Sequence, residues 1–162
     1  MISSLVLVVE DDGEIALLLE RYLNRAGYRT IKASTGQIAL KHLQMLRPDL
    51  VLLDVGLPDV DGFDLLTKIR GSSIVPVIFL TAMDDSTDKL LGLRLGADDY
   101  VTKPFNPQEV VARVAAVLKR TTGVAGKEVI RHDDIEVQPE SHIAFVSTET
   151  GRLELPLTAT EF

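Results

Sequence analysis

The 162-residue chain contains no cysteine, which excludes a disulfide framework and thiolate metal sites and agrees with a reducing, cytoplasmic setting. It has no tryptophan and only 5% aromatic residues, so its 46% hydrophobic fraction must supply an interior of Leu, Val, Ile and Ala. That is the mixture of an aliphatic α/β protein. No basic residue precedes the apolar stretch near the N-terminus, and Glu10, Asp11 and Asp12 follow it at once. The start therefore reads as neither a signal peptide nor a membrane span. No Gly-rich phosphate loop follows that stretch, which argues against a nucleotide-binding doubly wound domain. Positive charge is scarce as well: residues 1–120 carry a net charge of -2 and residues 121–162 a net charge of -5, for a total of -7. Neither part offers a basic surface for a phosphate backbone, so this polypeptide as it stands is not expected to bind DNA.

What is present alternates. Leu5 to Val9, Leu50 to Leu53 and Val75 to Leu80 are short apolar runs suited to strands buried on both faces. Between them lie segments of helical period: Glu14 to Arg25, with Ile15, Leu18, Leu19 and Tyr22 on one side, Gly36 to Leu46, and Phe63 to Arg70. Ser86 to Leu95 reads as a fourth helix, Asp99 to Thr102 as a short strand, and Pro107 to Arg120 as a fifth helix. Five βα units in about 120 residues imply a doubly wound parallel sheet with helices on both sides. Residues 121–127 read as a linker. Beyond it, Val129 to Arg131, Ile135 to Gln138, Ile143 to Val146 and Arg152 to Leu155 are separated by turn-forming pairs, as in a small antiparallel sheet. Thr158 and Glu161 have capping-box spacing, so a helix is expected to begin there, and residues 128–162 read as part of a truncated second domain.

In an open parallel sheet, ligands bind beyond the carboxyl ends of the strands. The unusual residues fall at those ends: Glu10, Asp11 and Asp12 after the first strand, Asp54 closing the third, Thr81 after the fourth and Lys103 after the fifth. Taken singly, an aspartate there is a turn former or cap, as Asp12 can be, and a threonine or lysine needs no special role. Neighbouring strands lie about 4.8 Å apart, so Asp11 and Asp54 can converge on one cation. Converging carboxylates need a counter-charge. Magnesium meets that need and keeps positions for phosphate oxygens. Asp54 is then the expected nucleophile toward phosphorus, with Lys103 holding equatorial oxygens.

The strings Leu7-Val8-Val9-Glu10-Asp11-Asp12, Asp54-Val55-Gly56-Leu57-Pro58 with Asp61-Gly62, Thr81-Ala82, and Gly96-Ala97-Asp98-Asp99-Tyr100 leading to Lys103-Pro104-Phe105 resemble the receiver domain of two-component response regulators over roughly residues 3–120. The resemblance implies the flavodoxin-like strand order 2-1-3-4-5. It implies Asp54 as phosphoacceptor, Asp11 and the Gly56 carbonyl as ligands of Mg2+ or Mn2+, and Glu10 as the other acidic group. Thr81 and Lys103 would contact the phosphoryl group, and Tyr100 would be an aromatic switch. Pro58, Gly62 and Pro104 would be structural, with a cis peptide at Lys103-Pro104. No turnover beyond self-phosphorylation and autodephosphorylation at Asp54 is implied. Residues 128–162 are similar to the opening sheet of the winged-helix domain of OmpR/PhoB-type regulators. That subfamily implies a sensor histidine kinase as partner, promoter DNA for the full-length protein, and a homodimer through the fourth helix, fifth strand and fifth helix. Lys89, Asp98, Asp99, Glu109, Arg113 and Arg120 are candidates for that face. A stand-alone receiver, relaying phosphate or binding a protein target, is the alternative. The chain departs from the pattern at Leu91, where a basic residue is common, and at Gly56, where a larger one is usual. His42, His132 and His142 lack ligand-like spacing and are expected at the surface.

Overall fold

The computed structural model describes residues 3–82, 95–121, 130–132, 135–138, 143–148 and 151–156. Most of the expected fourth helix, with Lys89 and Leu91, lies outside the described residues, as do the linker from residue 122, His142 and the Thr158–Glu161 box. The chain divides into two compact units, Met1–Leu118 and Lys119–Phe162.

The first unit holds β1 (Leu5–Val9), α1 (Gly13–Arg25), β2 (Arg29–Ala33), α2 (Gly36–Leu46), β3 (Leu50–Asp54), α3 (Gly62–Arg70), β4 (Val77–Thr81), β5 (Asp99–Thr102) and all but the last three residues of α4 (Pro107–Thr121). All strand pairs are parallel, as the alternating pattern implies, and the order is β2-β1-β3-β4-β5, as the resemblance implies. Strand alternation splits the core in two. Val6, Val8, Leu50, Leu52, Ile78, Leu80 and Val101 face α1 and α4. Leu7, Val9, Val51, Leu53, Val77 and Phe79 face α2 and α3. Every residue of β3 and β4 is buried, and each fully buried aliphatic side chain contributes about 1.5–3 kcal/mol.

The rim strand β2 differs. Arg29 and Lys32 are exposed and Ala33 alone is buried, so no apolar run marks it. Two expectations need correction. The fourth strand begins at Val77, two residues later than the apolar run, because proline has no N–H for a sheet ladder; Pro76 serves only as acceptor to the Val51 N–H, at 2.9 Å. Leu18 is 40% exposed, like Leu17, whereas Ala16, Leu19 and Leu23 carry the buried stripe of α1. Neighbouring leucines on a helix cannot all face one layer.

The second unit is a four-stranded antiparallel sheet in the order β6-β7-β8-β9: Ile130–His132, Ile135–Gln138, Ile143–Thr148 and Gly151–Pro156. His132 closes β6. In the first unit His42 is half-buried.

Candidate functional site

Strand register assembles the site. Val9 pairs with Leu53, Asp54 with Leu80, and Thr81 with Thr102, so the tips of β1, β3, β4 and β5 open on one end of the sheet. Glu10, Asp11 and Asp54 each offer a carboxylate oxygen within 4.8 Å of the others. Glu10 and Asp54 are 3% and 6% exposed, and Thr81 is 6% exposed beside them in the strand order, while Asp11 faces solvent.

Lys103 enters this cluster from the end of β5. Its backbone N–H donates to the Thr81 carbonyl at 2.7 Å, and the Lys103-Pro104 peptide is cis. Its Nζ donates to Glu10 Oε2 at 2.8 Å and stands 3.4 Å from Asp54 Oδ1. Burial raises the Glu10 pKa, with the Lys103 hydrogen bond and the Asp12 N–H pulling the other way. Burial also opposes the charge on Lys103, but its hydrogen bond to Glu10 and the attraction of Asp54 outweigh it, and its pKa is raised. Three carboxylates against one ammonium leave a formal deficit of two positive charges. An all-oxygen donor set with that deficit, open at Asp11, fits one hard divalent cation.

The loop after β3 is tightly bound. Gly56 N–H donates to Asp54 Oδ1 at 3.1 Å, Gly56 forms an antiparallel bridge with Asp61, and Gly62 N–H donates to Val55 O at 2.9 Å. A Cβ at Gly62 would lie 2.6 Å from Val55 Cα and 2.9 Å from the Asp54 carbonyl, so this position has no room for a side chain. Asp61 caps α3 through Phe63 N–H at 2.8 Å, and Pro58 is exposed. Asp12 has the plainer of its two expected roles: it caps α1, accepting from Glu14 and Ile15.

Tyr100 is half-buried on β5 and packs with the α2/α3 layer. Thr81, Thr102 and Tyr100 share that face, and since Thr81 is level with Thr102, Tyr100 lies diagonally below Thr81. Among the candidate dimer residues, Asp98 accepts from Val77 N–H at 2.9 Å and Arg70 at 3.4 Å. Arg113 pairs with Asp99 at 3.0 Å and with Glu109 at 3.2 Å, so these charges are matched within one chain. Arg120 and Pro104 are exposed.

Two residues of structural weight have no mark in the sequence pattern. Arg70 joins the end of α3 to the entrance of β5, donating to Val75 O at 2.6 Å and Gly96 O at 2.8 Å. Asp59, remote from any apolar period, reaches the backbone of α2.

The family pattern of the response regulator receiver domain matches residues 6–115. The alkaline phosphatase synthesis transcriptional regulatory protein PhoP of Bacillus subtilis is 46% identical over 134 residues, covering 82% of this chain and 56% of PhoP. The transcriptional regulatory protein KdpE of Mycobacterium tuberculosis is 42% identical over 162 residues, covering 94% of this chain and 72% of KdpE. The solved receiver domain of the Francisella response regulator 1452 is 37% identical with a TM-score of 0.71, covering 74% of this chain and 99% of that one. The chain thus spans little more than half of the length of PhoP. With the family pattern matched over residues 6–115 and relatives at this identity, the chain belongs to the response regulator receiver domain family.

Proposed function

We propose that this chain is the receiver part of a transcriptional response regulator in which Asp54 accepts a phosphoryl group in a magnesium-dependent step. The observation that carries the reading is Lys103 bridging Glu10 and Asp54, at 2.8 and 3.4 Å, inside a three-carboxylate cluster. Asp11, Asp54 and the Gly56 carbonyl would hold Mg2+ or Mn2+, with Glu10 completing the acidic pocket, and the bound cation would neutralise charge on the phosphoryl oxygens.

The chain's own residues do the rest. An Asp54 carboxylate oxygen forms a bond to phosphorus while the bond from phosphorus to the donor breaks, the donor atom keeping the electron pair. Lys103 holds a phosphoryl oxygen, and the Thr81 hydroxyl turns toward another. Tyr100, diagonal to Thr81 on the same face, moves inward and alters the surface around β5 and α4. Switching from about 1:99 to 99:1 requires about 5.5 kcal/mol of preference for the active state, which phosphoryl and dimer contacts would share. The Asp54 acyl phosphate then hydrolyses slowly, with no other substrate turned over.

A sensor histidine kinase is the donor partner. The dimer would use the region of Lys89, Asp98, Asp99, Glu109, Arg113 and Arg120, exchanging Arg113 partners from within the chain to across it. The antiparallel sheet of the second unit supports a winged-helix effector in the full-length protein, and promoter DNA as its target, over a stand-alone receiver. The test is intact mass with a small phosphodonor and Mg2+. One phosphoryl group should add to the chain and be absent from Asp54→Ala; unmodified wild type, or modified Asp54→Ala, would reject the reading.

A further inference from the structure

We infer that Asp59 is a positioning residue that fastens the β3–α3 loop, and with it the backbone of Gly56, to the N-terminus of α2. The proposal rests on the reading of Gly56 as a metal ligand.

A helix begins with four backbone N–H groups that lack partners. In α2 one is met locally, Thr35 Oγ1 accepting from Ile38 at 3.2 Å, while the Thr35 carbonyl accepts the first intrahelical bond, from Ala39 at 3.0 Å. Those of Gly36 and Gln37 are met from 23 and 22 residues away. Asp59 Oδ1 accepts from Gly36 N–H at 2.9 Å, and Oδ2 accepts from Gln37 N–H at 3.1 Å. The Gly36 N–H is also the main reason that the Asp59 carboxyl titrates below the usual range. Val60 seals the junction, since its Cγ1 occupies the place where a Cβ of residue 36 would stand.

The fastening matters because the loop is held by hydrogen bonds with little buried area behind them. Gly56, Pro58, Asp59 and Asp61 are exposed, and Leu57 and Val60 are only partly buried. Hydrogen bonds, more than buried area, therefore fix its path. α2 is a firm anchor, with Ala39 fully buried in the layer it shares with α3. Between Asp59 at one end and the Gly56–Asp61 bridge at the other, the Gly56 carbonyl is set before a cation arrives.

The experiment compares the full chain with Asp59→Ala, Asp59→Glu and Asp59→Asn, with Asp54→Ala as the control. Two quantities are read: amide hydrogen exchange at Gly36 and Gln37 without metal, and the Mg2+ dissociation constant by calorimetric titration. Asp59→Ala and Asp59→Glu should speed exchange and raise the dissociation constant roughly three- to tenfold, the range of a lost helix cap. Asp59→Asn keeps one acceptor oxygen but sets its NH2 against the second backbone N–H, so both quantities should fall between those of wild type and Asp59→Ala. Glutamate keeps the charge but its extra methylene moves the carboxylate off the two N–H groups, so an Asp59→Glu chain that binds Mg2+ like wild type would overturn the proposal in favour of simple attraction. Faster exchange with unchanged Mg2+ affinity in Asp59→Ala would overturn it too. Wild type binding no better than Asp54→Ala would reject the metal reading itself, while exchange would still report whether the fastening exists.

Discussion

Replacing Lys103 by methionine keeps an apolar stem of similar length and removes only the ammonium. Two acidic groups then lose their counter-charge, Glu10 with a side chain 1% exposed and Asp54 with one 9% exposed. At an effective dielectric near 20, contacts at 2.8 and 3.4 Å correspond to roughly 5–6 kcal/mol each before desolvation. Returning the ammonium to water recovers most of that, and stranding buried partners leaves a net loss of about 3–5 kcal/mol. Lys32–Glu20 supplies the control, with the same 2.8 Å separation but side chains 42% and 25% exposed; Lys32→Met should cost only about 0–1 kcal/mol. Urea unfolding in the presence of a chelator measures both. The Lys103→Met/Glu10→Gln double variant should recover part of the loss, because one of the repelling charges is gone. A Lys103→Met loss no greater than that of Lys32→Met, or a double variant no better than the single one, would refute burial as the source of the difference.

Gly62→Ala sets helix propensity against sterics. Propensity favours alanine by about 1 kcal/mol, but its Cβ meets the backbone of Val55 and Asp54, so a net loss of roughly 1–3 kcal/mol is expected in urea unfolding, and a gain would show that the loop yields. Gly56→Met should fold normally, since the nearest atom to a Cβ there is Asp54 Oδ1 at 4.0 Å, yet change the lifetime of the acyl phosphate; an unchanged half-life by intact mass removes Gly56 as a rate determinant. The low Asp59 pKa means that its contribution to stability is present above the unfolded pKa of about 3.9 and is lost as pH falls through the lower folded value. The stability gap between wild type and Asp59→Asn should therefore narrow on acidification below about pH 4, and a gap independent of pH would deny the coupling.

The central strands were legible because burial on both faces forces apolar runs such as Leu50 to Leu53. β2 was legible only as the strand that had to separate two helices, since a rim strand needs just one residue in the core. The acidic cluster and Lys103 were readable because strand ends attract function and each residue stands at one. Asp59 and Arg70 were not, because their shortest hydrogen bonds run to backbone atoms, of Gly36 for the one and of Val75 and Gly96 for the other. Backbone groups exist at every position, so no residue type announces the pairing. Leu18 misled for a related reason: three consecutive leucines fit more than one stripe, and only packing decides which faces inward.

The polar character of β2 also bears on solubility. A parallel sheet closed by no barrel ends in a margin that can template another chain, and there the exposed side chains of Arg29 and of Lys32, the latter paired with Glu20, put charge in place of apolar surface. Two copies brought edge to edge there would have to strip water from these charged side chains before their peptides could zip together, so crowding in a concentrated solution is resisted by the same residues that hid the strand from its hydrophobic pattern.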